Sequence, residues 1–120
     1  MENIVTDTRI DHFSDEAAQK ALDFLRFQAG EAAISRANRI YMEEFRKTIK
    51  ANCMAASPEK AITAQERDAY ASPVYIAHLE AMRVAIELDE VHRWKMVAAQ
   101  ATIEAWRTHQ ANRRGEQKMQ

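Results

Sequence analysis

The chain has 120 residues, the size of one domain, and a formal net charge of −1 at pH 7. Only two glycines and two prolines occur, too few for the many turns of a β protein, so the composition predicts an all-α fold in a single helical domain, residues 1–120. The near-neutral charge limits any nucleic-acid surface to a local patch, and the lone Cys53 excludes an intramolecular disulfide and a cysteine zinc cluster.

The first predicted element is a long helix over about residues 14–54. Residues 1–13 show no clear periodicity and are expected to be flexible. Ser14 can cap the first free N–H groups, and the two acidic residues after it suit the positive end of the helix dipole. Gly30 interrupts an otherwise good helical pattern at a cost of about 1 kcal/mol relative to alanine. It predicts either a bend or the close approach of another backbone.

A linker and a short helix follow. Pro58 disfavours a helical conformation at Ser57, so the first helix is expected to end before that residue. Thr63 and Glu66 have the spacing of a capping box, in which a hydroxyl and a carboxylate three residues later satisfy each other's backbone N–H groups. This spacing predicts a short linking helix over about residues 64–70.

The last predicted element is a second long helix over about residues 73–113, with residues 115–120 expected to be flexible. Ser72 offers a capping hydroxyl, and Pro73 suits the first helical position. Apolar residues form two neighbouring stripes along this helix, wider together than the seam of a two-stranded coil. One stripe contains Tyr75, Leu79, Met82 and Ile86, and the other contains Ala77, Ala81, Val84, Leu88, Val91 and Ala98.

These elements predict two long antiparallel helices joined by a short one, an elongated helical hairpin. The surplus apolar width favours assembly of this hairpin into a homo-oligomer. The alternative is that the first helix and the short helix cover both stripes. The residues expected at the oligomer interface are Leu79, Met82, Ile86, Val91, Trp94 and Trp106.

The sequence offers little catalytic chemistry. Asp89 and His92 share a helix face at the spacing of the Glu-x-x-His motif of di-iron bundles, but the first helix has glutamates and no histidine to complete such a site. Asp89 and its acidic neighbours are more simply solvated charges, spaced to pair with Arg83 and Arg93. A Gly-x-Ser-x-Gly motif and a glycine-rich phosphate loop are both absent. We therefore predict no catalytic residue, metal or cofactor.

Basic residues cluster toward the end of the first helix and again at the end of the last. Phosphates require such local positive charge, because binding releases counterions, and nearby aromatic rings could stack on unpaired bases. The alternative is that these cations only compensate helix dipoles. The expected nucleic-acid-binding residues are Arg36, Arg39, Tyr41, Arg46, Lys47, Lys50 and Lys60, and Arg107, Arg113 and Arg114 form a secondary basic patch.

Two stretches resemble small all-helical proteins of tailed phages that tend to be encoded among recombination and replication functions. They are ERDAYASPVYIAHL at residues 66–79 and IEAWRTHQANRR at residues 103–114, and the resemblance covers about residues 17–114. The layout is also similar to that of the recombination mediators of T-even phages. Those proteins have a basic first helix, a linker and a C-terminal helix used in ring-like assembly. They bind single-stranded DNA and help to load a recombinase onto strands covered by a single-strand binding protein.

The resemblance implies a phage accessory protein of DNA recombination or replication. Its partners would be single-stranded DNA and a recombinase or single-strand binding protein, with weak basic patches acting together in an oligomer. The alternative is a helical adaptor or inhibitor that acts on a host or phage protein without binding nucleic acid. The longest uncharged run is far short of the roughly 20 residues that span a bilayer. We therefore expect no membrane partner and a cytoplasmic location, in the host if the protein is phage-encoded.

Overall fold

The computed structural model describes residues 11–119, which form three helices and no strand. The helices are α1, Asp15–Ala55, α2, Ile62–Ala71, and α3, Pro73–Met119. The predicted all-α fold with two long helices and a short linking helix is confirmed. Residues 1–10 of the predicted flexible lead-in, together with residue 120, lie outside the described range.

The start of α1 follows its local sequence. Ser14 Oγ accepts a hydrogen bond of 3.0 Å from the N–H of Ala17, and Asp15 and Glu16 occupy the first turn. The predicted cap is therefore confirmed. Gly30 lies inside the continuous helix, and a Cβ atom added there would meet nothing within 4 Å. The expected close approach of another backbone at this glycine is wrong, because open space surrounds the position.

The start of α2 differs from the predicted capping box. The helix begins at Ile62, its N-cap is Ala61, and no side chain caps it. The linker is held by tertiary bonds instead. Ser57 Oγ donates a hydrogen bond of 2.6 Å to Asp68 Oδ2, and Gln65 Nε2 donates one of 2.9 Å to the carbonyl of Glu59. These bonds join the linker to α2 across Thr63, and that residue lies within the helix rather than at its cap.

The start of α3 agrees with the prediction, but its end does not. Ser72 Oγ accepts a hydrogen bond of 3.3 Å from the N–H of Val74, and Pro73 is the first helical residue. The helix continues through Gly115 to Met119, six residues past the predicted end at residue 113, while the flexibility predicted for residues 115–119 stays a prediction. A glycine ends a helix when it adopts a left-handed conformation, and neither described glycine has a positive φ.

The chain divides into two compact units. Unit 1 contains described residues 11–29 and 94–119, in which the start of α1 pairs antiparallel with the end of α3. Trp106 Nε1 donates a hydrogen bond of 2.8 Å to Asp15 Oδ1, and the rings of Phe13 and His109 stack at 4.7 Å. The buried residues of unit 1 are small, Ala21 and Ala99.

Unit 2 contains residues 30–93, with the rest of α1, all of α2 and the start of α3. Its long helices are also antiparallel, since His78 Nε2 of α3 lies 2.8 Å from the carbonyl oxygen of Met42 in α1. Its buried apolar residues are Ala69, Tyr75 and Met82. No large side chain among residues 11–119 is fully buried. The core is therefore small, and much apolar surface stays outside it.

None of the three described helices combines the length and the apolar character that a bilayer-spanning segment requires.

Candidate interaction surface

In unit 2, α1 and α3 meet along a seam whose residues are spaced alternately three and four apart, as in a coiled coil. On α3 this seam runs through Tyr75, Met82 and Asp89, which are buried, and through the half-buried residues His78, Ala85 and His92. On α1 it runs through Ser35, which is buried, and the half-buried Arg39 and Met42. The seam is more polar than a typical coiled-coil core, because a serine, an arginine and an aspartate occupy positions that usually hold aliphatic side chains.

An ion pair lies at the centre of this seam. Arg39 Nε is 2.8 Å from Asp89 Oδ2, and the two side chains are 23% and 7% exposed. The N–H of that nitrogen makes no hydrogen bond of good geometry, so the attraction is between the two charges rather than along a directed bond. Glu43 supports the guanidinium from 3.9 Å. The pair links α1 to α3 where little solvent screens it.

The buried position of Asp89 corrects a prediction. The sequence predicts a solvated charge that pairs with Arg83 or Arg93 on its own helix. Arg83 pairs instead with Glu80 at 3.1 Å and with Glu87 at 3.6 Å. Asp89 faces the other helix because it lies seven residues after Met82, on the same row of the seam.

An uncovered apolar row lies beside the seam on both helices. Each of its members comes one residue before a seam residue, as Tyr41 does before Met42 and Leu88 before Asp89. One residue is a rotation of about 100° on a helix, and because the helices are antiparallel, the same rotation on each leads to the same side of unit 2. We call this side the apolar face. It consists of Ile34, Tyr41, Ala81, Val84, Leu88 and Val91.

The apolar face is exposed and almost free of charge. Ile34 is 67% exposed, Val84 56% and Leu88 49%. From residue 77 to residue 91, every α3 position that precedes a seam residue is alanine, valine or leucine. Burial thus follows an unexpected order, with the more polar row closed inside unit 2 and the more apolar row left outside.

The residues predicted to bind nucleic acid do not form one free cluster. Lys50 Nζ lies 3.0 Å from Glu66 Oε2 and 4.8 Å from the ring centre of Tyr70. Lys47 Nζ lies 3.1 Å from Glu44 Oε1, and Arg39 is held by Asp89. Three of the predicted cations therefore already have carboxylate partners.

The environment of Lys50 also changes its titration. The side chain of Tyr70, and then the Glu66 carboxylate, raise the pKa of the Lys50 ammonium above its ordinary value of 10.5. Both neighbours favour the charged form over the neutral amine. Lys50 is therefore a positive charge throughout the neutral range, but one directed toward α2.

Three other predicted cations have no carboxylate partner among residues 11–119. Arg36, Arg46 and Lys60 are exposed, and no carboxylate of residues 11–119 pairs with them at 4.0 Å or less. In unit 1, Arg107 lies 3.1 Å from Glu104, while Arg113 and Arg114 are exposed near the end of α3.

The aromatic part of the predicted nucleic-acid site lies on another side of unit 2. Tyr41 stacks on Phe45 at 5.6 Å, and Phe45 lies 6.0 Å from the His78 ring. Tyr41 belongs to the apolar face, whereas Arg36 comes one residue after a seam residue and points away from that face. The structure thus places the Tyr41 ring and the Arg36 guanidinium on different sides of unit 2.

The residues predicted at the oligomer interface are also divided. Met82 is in the core. Leu79 and Ile86 each come one residue after a seam residue, on the side opposite to the apolar face. Of this set in unit 2, only Val91 belongs to the apolar face. In unit 1, Trp94 is 58% exposed and half-buried Trp106 bonds to Asp15.

In the described part of the chain, no group of three or more histidine, cysteine or acidic residues could hold a metal ion. An open cavity of about 630 Å³ lies where the linker meets α1 and α3, and half-buried Cys53 lines it. Its carboxylate, Asp68, is bonded to Ser57, so the cavity offers mainly apolar walls.

Comparison of the chain with protein-family models, with curated proteins and with solved structures finds no match.

The apolar face is a feature that the sequence predicts only in part. Its α3 stripe is visible as surplus width, but its α1 members, Ile34 and Tyr41, are not assigned to it. Counting one residue back from a three-and-four seam would have found both.

Proposed function

We propose that this protein is a helix-docking interaction protein that binds helices of a partner through the apolar face. The observation that carries this proposal is the exposure of an apolar row on two adjacent helices, with the spacing of a coiled-coil seam. Contiguous apolar patches on soluble proteins commonly mark binding surfaces.

The size of the apolar face supports this role. Given the exposed fractions of its side chains, the face presents on the order of 500 Å² of apolar surface, near the upper limit of roughly 300–600 Å² for the largest patch on a typical monomer. At about 25 cal/mol per Å², its burial contributes roughly 12 kcal/mol before the costs of association. Those costs are about 4–15 kcal/mol, so the contribution of this face is of the same size as the cost of holding a partner.

Photo-cross-linking tests the proposal. A photoreactive amino acid at position 88 should form adducts with another polypeptide chain, because Leu88 lies on the apolar face. The matched control is position 76, because Ile76 is 51% exposed on the same helix but follows seam residue Tyr75 and so lies on another side. Equal adduct yields at the two positions, or none at either, would refute the proposal.

The second candidate function is single-stranded DNA binding by a recombination-mediator-like accessory protein. Its specific support is the set of three cations that are exposed and unpaired within the described range, Arg36, Arg46 and Lys60, together with the resemblance of residues 66–79 and 103–114 to phage proteins. Each protomer would hold phosphate weakly, and an assembly of protomers would hold the strand by effective concentration. Arg36 lies on a different side of unit 2 from the apolar face, so the two functions are compatible.

Fluorescence anisotropy with a labelled single-stranded oligonucleotide tests this second function. Replacing Arg36 and Arg46 together by alanine should weaken binding and reduce the magnitude of the salt slope by about 0.7 for each phosphate that the variant no longer neutralises. Arg83→Ala is the control, since Arg83 already pairs with Glu80 and Glu87. Absence of binding at low salt would rule this function out.

A further inference from the structure

We infer that the partner on the apolar face is a second copy of this chain, docked face to face about a two-fold axis to form a four-helix bundle. This inference rests on the proposed function, because it names the partner of the same surface. Three properties of the apolar face support it: its width, its charge and its area.

The width of the apolar face matches a pair of helices. Ile34 and Tyr41 extend it over α1, and Val84 and Leu88 extend it over α3. A single docked helix would lie in the groove between the two and leave one edge of each exposed. Two antiparallel helices with the same spacing would cover it, and unit 2 itself is such a pair. A two-fold axis places identical patches against each other, so a face that suits two helices can bind its own copy.

The charge of the apolar face favours its own copy over a charged partner. Every α3 member of the face, from Ala81 to Val91, has an aliphatic side chain with no ionisable group. A partner recognised by charge would find nothing there to pair with. Homodimer interfaces are more apolar than other protein interfaces and are depleted of charge at the centre. The face has this composition.

The area of the apolar face fits a dimer. A stable interface buries roughly 800 Å² on each partner. The apolar face supplies on the order of 500 Å² of that, and two exposed polar residues of α1 add to it: Asn38, which lies on the same row between Ile34 and Tyr41, and Thr48. Docking of a second copy would therefore cover the apolar face.

Sedimentation analysis of purified protein tests the inference. The wild-type chain of 13.8 kDa should sediment with twice that mass. Leu88→Glu should raise the dimer Kd about a hundredfold or more, because two unpaired charges would be buried in each dimer. Ile76→Glu is the control, since Ile76 is 51% exposed and Leu88 49%, and it should leave the Kd unchanged. Should Leu88→Glu lose helicity, the double variant Val84→Ala with Leu88→Ala replaces it and should raise the Kd at least tenfold.

The outcomes separate this inference from the proposed function. A wild-type protein that stays monomeric, while position 88 cross-links to a different polypeptide, overturns the second copy but leaves the docking face in place. A dimer that tolerates both Leu88→Glu and the alanine pair uses another surface, which overturns the second copy, and cross-linking at position 88 then decides the docking face separately. A dimer dissociated by Leu88→Glu and not by Ile76→Glu supports both.

Discussion

Removal of the Asp89 carboxylate should destabilise the protein more than removal of any exposed acid. Asp89 is 5% exposed and lies 2.8 Å from Arg39 Nε across the seam. The substitution Asp89→Ala leaves the Arg39 guanidinium without its nearest counter-charge. It also leaves a gap where a seam side chain had packed.

The expected magnitude follows from the burial of the two partners. Loss of one member of a fully buried ion pair costs about 3–5 kcal/mol. The Arg39 side chain is 23% exposed and Glu43 lies 3.9 Å away, so water and a second carboxylate compensate part of the loss. We expect the free energy of unfolding to fall by about 2–3 kcal/mol. Asp89→Leu combined with Arg39→Met removes both charges and should return to within about 1 kcal/mol of wild type.

Urea unfolding followed by circular dichroism at one fixed protein concentration measures these differences. Glu87→Ala is the control, because Glu87 lies two residues away, is exposed and pairs only with Arg83 at 3.6 Å among the described residues. An exposed pair of this kind contributes about 0–1 kcal/mol. If Asp89→Ala and Glu87→Ala lower the free energy of unfolding equally, the argument from burial is refuted. Failure of the double variant to recover would show that the seam needs the charges themselves.

Further predictions concern single positions. Gly30→Ala should stabilise the protein by about 1 kcal/mol, because the new methyl group meets open space in a continuous helix; an unchanged thermal midpoint would contradict this. Ser14→Ala should lower the free energy of unfolding by about 1 kcal/mol through loss of the bond to the Ala17 N–H, whereas Ser14→Asp should retain it. NMR titration should place the Lys50 pKa above 10.5, and Glu66→Gln should lower it. The part of the stability that depends on Lys50 is then present at lower pH and lost as pH rises through the raised pKa. A Lys50 pKa insensitive to Glu66→Gln would contradict the assignment.

The parts of the fold that could be predicted from the sequence depend on neighbouring residues. Ser14 and Ser72 each accept a hydrogen bond from an N–H two or three residues away, so their capping roles could be predicted from the sequence. Thr63 has the same local signal, but the bonds from Ser57 to Asp68 and from Gln65 to Glu59 span six to eleven residues and set the start of α2. Local spacing could not reveal those bonds.

The candidate site depends on how two distant helices are rotated against each other. Asp89 and Arg39 are fifty positions apart, and each also has oppositely charged neighbours on its own helix. Only their contact shows that Asp89 faces inward and that Leu88, one residue earlier, is left outside. For the same reason, the sequence predicts Met82 at an interface between chains, whereas this residue lies in the core.

The contrast between the polar seam and the uniform apolar face has a consequence for register. Within unit 2, the ion pair between Arg39 and Asp89 admits one alignment of α1 with α3, because a shift of one heptad would bury both charges unpaired. The apolar face has no such charged marker, and its register depends on the shapes of its side chains: Val84 and Val91, seven apart, are the same, whereas Ala81 and Leu88 differ in size. Docked partners displaced by one heptad, about 10 Å along the helix, would lose packing but bury no unpaired charge. We therefore expect the register within each chain to be fixed more strongly than the register of its assembly.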